Sequence, residues 1–251
     1  MATSEEPVRT WRQGAVQIVR IERPQRRNAV DRRTAAALGA AWAAFERDPA
    51  ALVGVLTGGD AAFSAGADLM DLEGLAPAVI GDDGPLGFTR RTVSKPTLAA
   101  IAGWCVAGGL EMACWCDLRI ADETAVFGCL ERRYGVPLVD GGTQRLPRIV
   151  GLGRALDLIL TGRRVDAREA FALGLVNEVV PAGRSLARAV ELAGAIAAFP
   201  QACLRGDRRA VYGGLGLSLD DGLRLEAELG AAALATGEPA AGALAFREGK
   251  R

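Results

Sequence analysis

The sequence predicts an α/β fold with a helical C-terminal part, on three observations. Two short apolar runs, Leu52–Leu56 (LVGVL) and Thr97–Ile101 (TLAAI), read as buried strands of a packed sheet. Each runs into a small-residue loop and then a helix start, the ending that strands of an open parallel sheet present to a ligand. After Pro181 the strand signals stop, and alanine- and leucine-rich helical stretches carry the chain to its end.

The elements follow in order. Val8–Trp11 and Val16–Ile21 form a strand pair, and Pro24 opens a loop over Arg23–Ala29. A helix from about Asp31 to Arg47 carries Leu38, Trp42 and Phe45 at helical spacing, with Asp31 at its cap. The strand 52–56 comes next. Residues 70–88 are rich in glycine, proline and acids and show no period. They read as a short helix with a mobile lid, or as a flexible surface loop. The strand 97–101, a helix at Gly109–Cys116 and strands near Leu118–Ala121 and Ala125–Phe127 follow. Helices are predicted at Gly141–Val150, Arg154–Thr161 and Asp166–Leu173, then a strand near Val176–Val180. Helices run through Ala198 and over Ala202–Tyr212, Leu219–Thr236 and Pro239–Glu248.

Composition narrows the chemistry. Thirty basic residues balance thirty acidic ones, which argues against nucleic acid or an anionic membrane as the main partner. A local arginine cluster (Arg23, Arg26, Arg27, Arg32, Arg33) fits either a small phosphorylated ligand or a solvated helix approach. No secretory pattern opens the chain, and no apolar run nears the roughly 20 residues a bilayer span needs, so a cytoplasmic location is expected. The five cysteines, Cys105, Cys114, Cys116, Cys129 and Cys203, match no zinc spacing and read as small buried hydrophobes. There is no histidine. Ser-His-Asp and Cys-His catalysis and histidine-bound metals are excluded, and proton transfer falls to carboxylates, lysine, tyrosine or cysteine. Ser64, with no imidazole to activate it, reads as a loop hydroxyl.

The segment from Lys95 to Asp117, KPTLAAIAGWCVAGGLEMACWCD, combines these signals. Gly108 and Gly109 open an apolar helix with Glu111 in its first turn. First-turn amides have no partner inside their helix, and with the helix dipole they form a site for an oxyanion. A carboxylate one turn away can move a proton beside it. The same residues equally describe a helix start that packs closely on a sheet and carries an acid to complement its dipole. The loop after the strand 52–56, with Phe63-Ser64-Ala65-Gly66-Ala67-Asp68-Leu69, repeats the pattern, Asp68 serving as a cap. One backbone N–H from each loop would grip one carbonyl oxygen.

FSAGADL, KPTLAAIAGWCVAGGLEMACWCDLRIAD, FGCLERRYGVPL and GGTQRLPRIVGLGRALDLILTGR, in that order, resemble the crotonase superfamily, the enoyl-CoA hydratase/isomerase family. The resemblance runs from about Val16 to the C-terminus. It implies a spiral of ββα units over residues 1–198 carrying the active site, and a helical trimerisation region over 199–251. It implies Ala67 and Gly108 as the oxyanion-hole amides and Glu111 and Glu131 as the carboxylates that act on water. CoA contacts are implied at Arg26, Arg27, Ala65, Asp68 and Leu69, and at Phe246 and Lys250 toward a neighbouring subunit. The substrate would be an acyl-CoA thioester, CoA itself being part of the substrate, with no separate cofactor and no metal. The assembly would be a homotrimer or hexamer, with neither nucleic acid nor membrane as partner.

Four departures bear on the reaction. Ala107 opens the usual glycine triplet, Leu130 replaces the usual proline before the second glutamate, and Arg132 and Arg133 follow it. The segment YGVPLVDGG introduces Asp140, either a further pocket acid or a cap for the helix starting at Gly141. The leading expectation is hydration of a 2-enoyl-CoA to a 3-hydroxyacyl-CoA, or the reverse. An enoyl-CoA isomerase would need one base, with Glu131 turned out of the pocket. A non-catalytic acyl-CoA-binding protein would keep the oxyanion turns without turnover.

Overall fold

A computed structural model describes residues 6–249, placing Lys250 outside the described residues. The strands are β1 (Val8–Gln13), β2 (Val16–Ile21), β3 (Val53–Thr57), β4 (Ala62–Ser64), β5 (Thr97–Ile101), β6 (Trp104–Val106), β7 (Leu118–Asp122), β8 (Val126–Gly128), β9 (Val165–Asp166) and β10 (Glu178–Val180). The helices are α1 (Arg32–Arg47), α2 (Leu72–Leu75), α3 (Gly108–Trp115), α4 (Gly142–Val150), α5 (Leu152–Thr161), α6 (Ala167–Ala172), α7 (Ser185–Ala197), α8 (Gln201–Gly214), α9 (Leu219–Leu234) and α10 (Glu238–Arg247).

Two sheets result. The larger has the order β1-β2-β3-β5-β7-β10, parallel except for the β1/β2 hairpin. The smaller has the order β4-β6-β8-β9, parallel except for β8/β9. Each spiral turn gives one strand to each sheet: β3 then β4, β5 then β6, β7 then β8. The expected ββα spiral is therefore present. Strands β4, β6 and β9, two or three residues long and set against small-residue loops or helix starts, are not among the strands the sequence predicts. No period-2 pattern is legible over so few positions.

Alternation along the long strands separates two cores. Val16, Ile18, Val53, Val55, Leu98 and Ala100 face α7 through Ala189 and Ala193. Val19, Ile21, Leu56, Ala99 and Ile101 face the other way, into the core shared with α1, α3 and the smaller sheet. Asp31 caps α1 by accepting from Thr34 N at 2.8 Å, as its position predicts. The other end of α1 is closed by buried Lys95, whose Nζ donates to the Phe45 and Asp48 carbonyls, each at 2.7 Å.

The segment 70–88 is neither a lid free of the body nor a surface loop throughout. It starts as short helical turns around α2. Its second part is then drawn inward: Leu86, Phe88 and Thr89 are fully buried, with Phe88 packed against Trp42 and Trp115. Four cysteines are buried as expected, but Cys203 is exposed. It lies on α8, which buries none of its residues in the single chain. Helices α9 and α10 bury none either. The tail is fastened at Asp117, which takes Arg208 Nε at 2.9 Å and Tyr212 Oη at 2.7 Å while accepting from Thr97 N at 2.7 Å. Among the described residues no single helix is long and apolar enough to cross a membrane. Helices α9 and α10 reach that length only together, bent by 66°.

Candidate active site

A cavity of about 740 Å³ opens where the carboxyl ends of β4, β6 and β8 meet. Ala67, Gly108, Glu111, Glu131 and Asp140 line it. So do Arg26, Arg27, Ala65, Asp68 and Leu69. Phe246 does not: it is exposed on α10.

The two oxyanion candidates are set by how their turns pair. Val30 N donates to Gly66 O and Asp68 N donates to Val30 O, both at 2.8 Å, so the intervening Ala67 N–H faces away from Val30. Gly108 is the first residue of α3, where an amide has no intrahelical partner. Neither N–H donates to a protein oxygen among the described residues. The turns lie against each other. A Cβ on Gly66 would come within 2.4 Å of Gly108 N, and one on Gly108 would stand 3.4 Å from Ala67 N. Gly109 has even less room, since a Cβ there would meet Ser64 O at 2.1 Å. Ser64 itself donates from Oγ to Asn28 O at 2.8 Å and accepts from Gly66 N at 3.0 Å, the loop role its sequence context suggests. Asn28, which sequence reading passed over, ties this loop down through Nδ2 bonds to the Gly58 and Ala62 carbonyls.

Ala107, the cap of α3, has φ 53° and ψ −130°, a backbone conformation that favours glycine. It is the position where the usual glycine triplet is broken.

Glu111 is buried in an all-buried helix. Its Oε1 accepts from Gly142 N at 2.7 Å and Asp140 N at 2.9 Å. Its Oε2 has no protein donor among the described residues. Burial, with help from Asp140 and Glu131, pushes its carboxyl up from 4.5 to about 8, against the pull of the two N–H groups. Gly142 must lack a side chain here, because a Cβ would press on Glu111 Cγ and Oε1 at 2.9 Å.

Glu131 sits on a 3-10 turn, Leu130–Tyr134, too short to leave a periodic signal. It is buried, and neither carboxylate oxygen has a hydrogen-bond partner among the described residues. Burial raises its pKa as well. The following arginines form no ion pair with it, although the Arg132 charge draws its pKa down: Arg132 Nε donates to Ile159 O and Arg133 Nη2 to Gly162 O, both at 3.2 Å. Glu131 is thus a buried residue of the cavity wall.

Asp140 does not cap α4, whose cap is Gly141 with no side-chain bond. It is buried, and its Oδ1 accepts from Leu86 N at 3.1 Å and from Thr89 Oγ1. Burial pushes its pKa upward while those two donors pull it down. Asp68 lines the cavity, yet its carboxylate is taken by Arg23 at 3.1 Å and by Met70 N at 3.1 Å. At the cavity wall Trp104 lies between Arg27 at 5.4 Å and Arg164 at 4.9 Å. Among the described residues Arg26, Arg27, Arg133 and Arg164 all border the cavity without a carboxylate partner. Arg164 was not singled out from sequence, because it lies far along the chain from the Arg23–Arg33 cluster and only the fold brings it beside Trp104.

The enoyl-CoA hydratase/isomerase family model matches residues 11–251. The chain belongs to the enoyl-CoA hydratase/isomerase family. It is 41% identical over 238 residues to a probable enoyl-CoA hydratase of Rhizobium meliloti (strain 1021), covering 93% of this chain and 92% of that one. It is 35% identical to a crotonyl-CoA hydratase of Syntrophomonas wolfei, with 93% and 92% covered. The crystal structure of an enoyl-CoA hydratase from Mycobacterium marinum superimposes with a TM-score of 0.93 at 32% identity, over 98% of this chain and 97% of that one. Family membership agrees with the resemblance in the motifs and with the ββα spiral.

Proposed function

We propose that the chain adds water across the double bond of a 2-enoyl-CoA to give a 3-hydroxyacyl-CoA, and catalyses the reverse step. The observation that carries this is the meeting of two buried carboxyl groups, Glu111 and Glu131, in the cavity that also holds two unpaired amides. The thioester oxygen accepts from Ala67 N and Gly108 N. A water lies between Glu111 Oε2 and the bare oxygens of Glu131. Two buried carboxyl groups in one pocket share a proton, and the apparent pKa values belong to the pair. The ionised member takes a proton from water as its oxygen bonds to C3. The electron pair of the double bond moves toward the thioester, whose enolate oxygen the amides stabilise, and the protonated member delivers its proton to C2. Atoms and charge balance, and the pair ends holding one proton again.

Arg26 and Arg27 contact the CoA phosphates, where guanidinium forks suit the oxygens. Ala65, Asp68 and Leu69 border the pantetheine and adenine path. The helical region from residue 199 onward forms the assembly surface of a homotrimer or hexamer, which brings Phe246 to a neighbour's ligand. Exposed Leu219, Leu223, Leu234 and Leu244 on helices with no buried residue support that reading. No resident cofactor takes part in these steps.

The isomerase alternative requires Glu131 outside the pocket, and Glu131 lines it. The test is a panel of 2-enoyl-CoA esters, followed by loss of the conjugated thioester absorbance and product mass. Products heavier by one water are expected. Unchanged esters would overturn the proposal, and recovered 3-enoyl isomers would favour the one-base reaction.

A further inference from the structure

Asp140 joins three parts of the site that are remote in sequence. Its Oδ1 accepts from Leu86 N at 3.1 Å and from Thr89 Oγ1. Its main-chain N–H donates to Glu111 Oε1 at 2.9 Å. Its carbonyl accepts from Arg145 Nη1 at 2.9 Å, while Arg145 Nη2 reaches Thr89 O at 2.6 Å. Residues 84–89 are wrapped closely on the carboxylate, for a Cβ on Gly84 would stand 2.9 Å from Oδ1. The same segment touches the oxyanion turn, since a Cβ on Gly108 would meet Leu86 Cδ1 at 2.9 Å.

We propose that Asp140 is a positioning residue: its carboxylate latches residues 84–89 over the oxyanion turn, and its amide holds Glu111 in its working orientation. Latch and base are then set by one backbone position. This rests on the two-carboxylate reading of the pocket. It differs from a third pocket acid in what it asks of the carboxylate: Oδ1 serves two donors of the segment, Leu86 N and Thr89 Oγ1.

The charged and titratable groups around Glu111 are Asp140, Glu131, Arg145, Cys114 and Cys129. Asp140 and Glu131 raise the Glu111 pKa; removing the Asp140 charge therefore moves it down. That effect separates a positioning role from plain structural support.

Three variants of the full chain test the proposal: Asp140→Asn, Asp140→Ala and Thr89→Val. The readouts are kcat and KM for crotonyl-CoA against pH, and hydrogen exchange of residues 84–89 with and without butyryl-CoA. Asparagine keeps an oxygen for Leu86 and Thr89. It should keep the segment protected and KM within about threefold, while the alkaline limb of kcat moves to lower pH. Alanine should release the segment and cut kcat by about 10²-fold, the usual cost of a misplaced catalytic group. Thr89→Val should lie between them. An unmoved pH profile in Asp140→Asn would overturn the proposal. So would an equal 10²-fold loss in both Asp140 variants with the segment still protected, which would make Asp140 an acid of the reaction. If the wild type turns over no enoyl-CoA, the two-carboxylate reading fails on its own. Hydrogen exchange then decides the latch: protection lost in Asp140→Ala and kept in Asp140→Asn supports it, and identical exchange in all forms refutes it.

Discussion

Glu111 and Glu131 face one cavity from opposite kinds of support. Glu111 stands on a wholly buried helix, held by two backbone N–H groups and crowded by glycines that leave no spare space. Glu131 stands on a single 3-10 turn, with both oxygens bare. The first carboxyl is placed by the fold before any ligand arrives. The second is buried without a partner, a costly state that a bound water or substrate would relieve. A division between acid and base roles needs such unequal settings.

The glycines give the sharpest way to break this comparison. Gly109→Ala places a Cβ 2.1 Å from Ser64 O, so the two turns must part. Loss of an oxyanion donor costs about 10²–10³-fold in rate, and at least that is expected here, together with a lower melting temperature. Gly135→Ala, at the end of the Glu131 turn, meets nothing within 4 Å and pays only for its φ of 71°. About 1 kcal/mol of stability and little activity should be lost. Equal effects at the two positions would show that the Glu111 side is no more tightly built than the Glu131 side.

A second contrast is in pH. Glu111 binds its proton more tightly folded than unfolded, so its contribution to stability is complete below about 4.5 and is lost as pH rises toward about 8. Glu111→Gln keeps an oxygen for the Asp140 and Gly142 amides and removes that penalty. At pH 8.5 the variant should exceed the wild type by roughly 2–5 kcal/mol in denaturant unfolding, with the gap closing by about pH 4. A gap independent of pH would mean that Glu111 is not held protonated.

The smallest effect concerns the helix start itself. Ala107→Gly relieves a side chain from φ 53° at the price of a freer unfolded chain. A net gain of about 1 kcal/mol in thermal unfolding is expected; a loss would mean that the Ala107 methyl group is an essential packing element.

What the sequence made legible divides along the same line. Strand runs such as Thr97–Ile101, the glycines at 108–109 and Glu111 are local features with local causes, so they could be read directly. The cap at Asp31 is of the same kind. Glu131 could be placed only by resemblance, because a five-residue 3-10 turn has no period. Asp140 was left between cap and pocket acid; it does not cap the helix, and it lines the cavity with its Oδ1 bound to the segment 84–89. Its partners Leu86 and Thr89 lie more than fifty positions away, in a segment whose composition resembled a surface loop. Burial of that segment depends on Phe88 entering the Trp42–Trp115 cluster, a tertiary fact with no local signature.

The most direct measurement is kcat for crotonyl-CoA hydration at pH 7 in the wild type, Glu111→Gln and Glu131→Gln, with butyryl-CoA binding measured beside it. Two cooperating carboxyl groups predict a loss of at least about 10²-fold in each variant, with butyryl-CoA still bound. A Glu131→Gln enzyme running at the wild-type rate would contradict the account.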